Sequence, residues 1–145
     1  MRNWILPLLF MLTSCLNESI SPEATLKDFV ETRLGNTVTR QFVLDRVTGK
    51  MKQSFENMSD EDFAKFADLR NVKQNSFKVL TKSCQESKCF LTYSVGYKST
   101  LEKGTYNSDV KKIAEIHHVE GKWLIADVSN IKTYHESVDP INPMD

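Results

Sequence analysis

An α+β fold is what the chain predicts, with N-terminal helices packed on one face of a four-stranded antiparallel meander. Three observations lead there. Apolar residues recur at three- and four-residue spacing between Leu26 and Leu69, the pattern of amphipathic helices. After Asn71 the composition turns to Val, Ile, Thr, Tyr and Phe, which suit a pleated, half-buried surface. Turn-forming stretches separate these later segments, and helices followed by a run of strands is the order of an α+β domain.

The first helix opens at Ser21, a good N-cap, with Pro22 at the first helical position and Glu23 favourably placed against the helix dipole. Leu26, Phe29, Val30 and Leu34 form its apolar stripe, and Gly35-Asn36 closes it. A second helix is predicted from 39 to 47, carrying Phe42, Val43 and Val47, with Gly49 breaking it before Met51, Phe55 and Met58. Ser59 with Asp62 three residues on resembles a capping box, with Asp in place of Glu or Gln. Phe63, Phe66, Ala67 and Leu69 then make another helical face, and a Phe and Met stripe at this spacing reads as core. Strands are predicted at 77–84, 89–99, 107–119 and 122–134, with Glu120-Gly121 a compact hairpin turn and Glu102-Lys103-Gly104 a looser one. Residues 22–135 form one domain, and 136–145, with Pro140 and Pro143, form a flexible tail.

At 145 residues, 40% of them hydrophobic and 26% charged, the chain has the make-up of one globular domain. Lys plus Arg and Asp plus Glu each total 19, so the formal net charge is zero. That balance excludes nucleic acid as the expected partner, because phosphate binding needs a surplus of positive charge on one face. The lysines gathered between 73 and 88 read as a solvated sheet face.

The N-terminus carries an address. Met1-Arg2-Asn3 supplies a positive start and Trp4 to Leu12 an apolar run of nine residues interrupted by Pro7. That is the length of a signal-peptide hydrophobic region and about half the roughly 20 residues of a membrane-spanning helix. Leu12-Thr13-Ser14-Cys15 follows directly and resembles the lipobox of bacterial lipoproteins, with Thr and Ser in place of the commoner small pair. The resemblance implies that residues 1–14 are removed by cleavage between Ser14 and Cys15, and that Cys15 receives a diacylglyceryl group and becomes the first residue. The partner it implies is the membrane, reached through lipid on Cys15. Two or more acyl chains hold durably where one holds only marginally. Leu16 stands where an inner-membrane retention Asp would sit, which by the same resemblance favours the periplasmic face of the outer membrane. Residues 15–21 form a short tether, and the six residues from Cys15 to Ile20 reach at most about 20 Å.

The order of elements, together with Gly121-Lys122-Trp123-Leu124-Ile125 in the final hairpin, resembles the nuclear-transport-factor-two-like and ketosteroid-isomerase-like superfamily. The resemblance spans residues 21 to 135. It implies a curved sheet wrapped around the helices into a cone, and a superfamily that hosts both binders and enzymes.

Cys84 and Cys89, at the ends of two strands with four residues between, read as a disulfide clamping a hairpin in an oxidising compartment. In the chain-entropy model a loop this small is worth roughly 2 kcal/mol. Zinc would need two more ligands, and redox catalysis normally uses two intervening residues ahead of a helix. In a regular ladder this pairing also sets Lys82, Leu80 and Lys78 on the face of Leu91, Tyr93, Val95 and Tyr97. Either the lysines reach water at the sheet margin or the register changes locally.

His117 and His118 point to opposite faces of a strand and do not share a ligand; His135 lies farther along. A two-residue turn at Glu120-Gly121 sets His118 opposite Trp123, and a three-residue turn sets His117 there. Asp127 interrupts the apolar run Trp123-Leu-Ile-Ala-Asp-Val128, where burial would raise its pKa and suit it to acid–base work. Nothing in the chain resembles a nucleophile elbow, a phosphate loop or a paired-carboxylate site, and no metal or cofactor is expected. The functional expectation is a non-catalytic envelope lipoprotein that binds an envelope protein or a small ligand. The alternative is a cone-fold enzyme of isomerase or hydrolase type, using Asp127 as acid or base with Tyr93, Tyr97 or a histidine as hydrogen-bond donor.

Overall fold

In the computed structural model, residues 20–35 and 38–138 are described, and the expected signal peptide, lipidation site and most of the tether and tail lie outside them. Ser21 opens α1 (Pro22–Leu34) by accepting the Ala24 N–H at 3.2 Å, and Leu26, Phe29 and Val30 bury the stripe the spacing predicts. Helix α2 (Arg40–Leu44) is shorter than expected, although Thr39 caps it through the Phe42 N–H at 3.1 Å. Its continuation is pulled away by the sheet. Val47 leaves the helix to bridge Ile125 in parallel, with the Ile125 N–H donating to the Arg46 carbonyl at 2.8 Å and the Thr48 N–H to the Ile125 carbonyl at 2.9 Å. Burying Val47 to 1% exposure outweighs one more helical turn.

Gly49 makes the break, with a φ of 58° in the left-handed region that favours glycine, and starts α3 (Gly49–Asn57). Ser59 then caps α4 (Asp60–Ala67), accepting the Asp62 N–H at 3.1 Å and donating its hydroxyl to the Asp62 carboxylate at 2.8 Å. Arg40 staples the joint between these helices. Its guanidinium donates to the carbonyls of Phe55 (2.6 Å), Met58 (2.9 Å) and Ser59 (3.1 Å), pairs with Asp60, and lies over the Phe63 ring.

The sheet is a meander in the order β1 (Val72–Gln85), β2 (Lys88–Leu101), β3 (Gly104–Val119), β4 (Lys122–Ser137), every pair antiparallel. The strands outrun the prediction. β1 starts at Val72 rather than 77, and Glu136 and Ser137, assigned to the tail, belong to β4. All three turns have two residues. Glu120 and Gly121 both take positive φ, 50° and 81°, as the tightest hairpin turn demands, and this sets His118 opposite Trp123.

Four β-bulges shape the sheet, and each extra residue sits in an edge strand: Asn75 and Leu80 in β1, Ala126 and Ile131 in β4. The Leu80 bulge answers the lysine question. Cys84 and Lys82 face inward opposite Cys89 and Leu91, but the extra residue turns Val79 and Phe77 inward opposite Tyr93 and Val95 and sends Lys78 outward. Lys82 then reaches the N-terminal turn of α1 and pairs with Glu23 at 2.7 Å. Burial works against charge on Glu23, yet the Lys82 hydrogen bond helps hold its carboxyl below the ordinary range.

One core joins helices to sheet: Leu26, Phe29, Val43, Val47 and Phe55 from the helical half, with Leu91, Tyr93, Ala114, Ile116 and Ile125 from the strands. Cys84 and Cys89 form the expected disulfide, their Cα atoms 4.1 Å apart, and it clamps the end of the β1–β2 hairpin. Among the described residues no helix is long and apolar enough to cross a membrane.

Candidate functional site

Between α1 and the inner face of the sheet lies a cavity of about 560 Å³. Phe29, Val30 and Leu34 of α1 and Val95, Val110 and Val128 of the strands give it apolar walls. Two cations interrupt them. Arg33 follows Leu26, Phe29 and Val30 as the i+7 position of an i, i+3, i+4, i+7 stripe, so helical geometry turns it toward the sheet. Lys112 falls in the alternation Val110, Lys112, Ala114, Ile116, and that register puts it on the inner face of β3.

The arginine and the lysine meet the cavity from opposite sides, helix and sheet. The Arg33 guanidinium lies 4.2 Å from the Phe66 ring centre, and its Nε is buried without a hydrogen-bond partner. Burial pulls the guanidinium below its ordinary value, against an upward pull from Tyr93 and Tyr97. Lys112 is lowered too, first by burial and then by the Arg33 charge. Burial pushes the Tyr93 phenol up to about 12 although Arg33 works the other way, so it is a neutral hydroxyl near pH 7.

Other inward or half-buried cations of the fold have carboxylates: Asp60 for Arg40, Asp28 for Arg46 at 2.7 Å, Glu23 for Lys82. Among the described residues neither Arg33 nor Lys112 forms an ion pair, and no Asp or Glu lines the cavity. Asn130, Thr133, Tyr97 and His135 complete the polar side. Ser108, buried beside it, lies with its Oγ 2.7 Å from His135 Nδ1. The only histidine paired with a carboxylate among the described residues is His117, so no acid orients this Ser–His pair.

The sequence-predicted site residues divide. Tyr93 and Tyr97 line the cavity together with His135. Asp127 does not: it is exposed on the outer face, where it accepts from the Ser129 hydroxyl at 3.2 Å. The cause is the Ala126 bulge, which breaks the alternation so that Ile125 and Val128, three residues apart, both face the core while Asp127 faces out opposite Glu115. A buried Asp127 acting as acid or base is therefore ruled out. His117 also faces outward, its Nε2 2.6 Å from Glu115, and His118 packs on Trp123 with ring centres 4.8 Å apart. No group of side chains suited to a metal occurs among the described residues. Sequence reasoning misses Arg33 and Lys112; the signal that finds them is a positive charge in the core register of an amphipathic element.

No family model matches the chain, and no curated protein matches it. A solution structure of a SEC-C motif containing protein from Rhodopseudomonas palustris is similar at a TM-score of 0.59 and 10% identity, over 78% of this chain and 80% of that one. At that identity the likeness is one of fold. A crystal structure of a putative Ca/calmodulin-dependent kinase II association domain from Exiguobacterium sibiricum aligns at a TM-score of 0.44 and 8% identity, over 83% of this chain and 96% of that one.

Proposed function

We propose that the protein is a lipid-anchored envelope protein whose cone-like domain holds a small ligand in the cavity between α1 and the sheet, without catalysing a reaction on it. The observation that carries the binding reading is the cavity itself. Its volume of about 560 Å³ falls within the range of small-molecule sites, and apolar walls with a few convergent polar groups are the usual lining of such sites. The anchor rests on the lipobox-like Leu12-Thr13-Ser14-Cys15 after a charged start and a short apolar run. The cone reading rests on the resemblance to the nuclear-transport-factor-two-like superfamily, and a four-stranded meander bulged in both edge strands is compatible with it. The short tether would keep the cavity near the membrane surface.

Metabolic labelling with an alkyne-tagged palmitate tests the anchor: wild type should carry the label and fractionate with membranes, and Cys15→Ser should lose the label. A Cys15→Ser protein that still carries it, or a wild-type protein without it, would refute the anchor. Native mass spectrometry of the protein released gently from membranes tests the binding reading. One small molecule per chain is expected, and a chain empty in every preparation would count against it.

A further inference from the structure

We infer that the cavity takes an amphipathic oxyanion, a carboxylate, sulfonate or phosphate group on an apolar body, with Arg33 and Lys112 holding the head group. This rests on the reading of the cavity as a ligand site and adds the chemistry of what enters. Two cations face one apolar enclosure from opposite walls, and the carboxylates that satisfy Arg40, Arg46 and Lys82 have no counterpart there. Charges withdrawn from water are stable when paired, and the buried Arg33 Nε is a donor without an acceptor. No residue lining the cavity is an Asp or a Glu, so the lining offers these cations no carboxylate.

The two cations suit different parts of one anion. Guanidinium is a planar fork matched to two oxygens, while the ammonium is a point charge that takes a third. The Tyr93 hydroxyl, neutral and buried beside Arg33, adds a donor that does not compete for the charge. On the same two walls Phe29, Val30, Val95 and Val110 offer only carbon, so a small inorganic anion would leave most of the lining uncovered. A neutral apolar molecule would fill the space and leave both charges unpaired.

Two dyes separate these cases. Anilinonaphthalene sulfonate and its uncharged parent, N-phenyl-naphthylamine, share their rings and differ by the sulfonate. Fluorescence titrations are made on residues 15–145 carrying Cys15→Ser, the expected mature length without lipid or the apolar run, which avoids dye partition into detergent and alters no cavity residue. The sulfonate should bind at least ten times more tightly than the parent. Arg33→Met and Lys112→Met should each remove most of that preference, read as the ratio of the two affinities in the same variant, and Arg33→Lys should retain much of it. Equal affinity for the two dyes, or a preference that survives both Met variants, would overturn the assignment of an anion while leaving a cavity that binds. If neither dye binds, the ligand-site reading fails first and the anion falls with it.

Discussion

The Arg33→Met substitution keeps a long unbranched side chain on α1 and removes only the guanidinium, so it isolates the energetic cost of placing a charge in the cavity wall. Helix propensity is nearly the same for the two residues. The unpartnered Nε costs about 1–3 kcal/mol as a buried donor without an acceptor. Against that, the variant loses a cation–π contact with Phe66 worth about 0.5–1 kcal/mol and a favourable charge in the last turn of α1 worth about 0.3–1 kcal/mol. A thioether over the same ring restores part of the first loss. The net expectation is a variant about 1 kcal/mol more stable than wild type. With a urea m-value on the order of 2 kcal/mol/M, the unfolding midpoint should rise by roughly 0.5 M at unchanged m. Lys112→Met should act in the same direction, and the double variant should gain less than the sum of the two single gains, because removing either cation already relieves their mutual repulsion. A midpoint that falls by the equivalent of 1 kcal/mol or more in Arg33→Met would show that the guanidinium is structurally satisfied, and the reasoning above would be wrong.

Three further outcomes follow from contacts elsewhere. Reduction of the Cys84–Cys89 bridge, or the Cys84→Ser/Cys89→Ala pair, should lower stability by about 2 kcal/mol, read as a urea midpoint that dithiothreitol shifts in wild type but not in the variant. Arg40→Met leaves the carbonyls at the end of α3 without their donors and should cost about 2 kcal/mol, with amide exchange accelerating first around residues 55–62; exchange unchanged there would refute the staple. Glu115 titrates below its ordinary 4.5, held there first by the His117 hydrogen bond and then by Lys88. Its contribution to stability is therefore present above about pH 4.5 and lost as pH falls through the folded-state value; a carboxyl NMR titration should show the low midpoint in wild type and its rise in His117→Phe.

The helix-then-meander order was legible because each signal is local: Ser21-Pro22 and Ser59 cap helices by bonds to their own next turn, and Glu120-Gly121 makes a hairpin by its own dihedral angles. The end of α2 was not, because Val47 is claimed by Ile125, 78 residues away along the chain, and nothing near residue 44 announces it. The bulges were hidden for a different reason. One inserted residue flips every later side chain to the other face, so strict alternation puts Asp127 and Lys78 inward, whereas the Ala126 and Leu80 insertions turn both outward. Tyr93 and Tyr97 keep the inward register of buried Cys89 because no bulge intervenes in β2 between them. Arg33 was legible in principle, as the fourth position of a stripe whose other three residues were recognised.

The two inner strands run without interruption, and all the irregularity of the sheet falls on its outermost members. A meander has two open margins, and a straight margin is a template on which another chain can add a strand. Asn75, Leu80 and Ile131 each put the margin's unpaired amides and carbonyls out of step, and the segment from Arg46 to Thr48 occupies the stretch at Ile125. Lateral growth into a continuous ribbon is blocked at both ends of the sheet. Three insertions and one paired segment thus protect the protein against aggregation through its own edges.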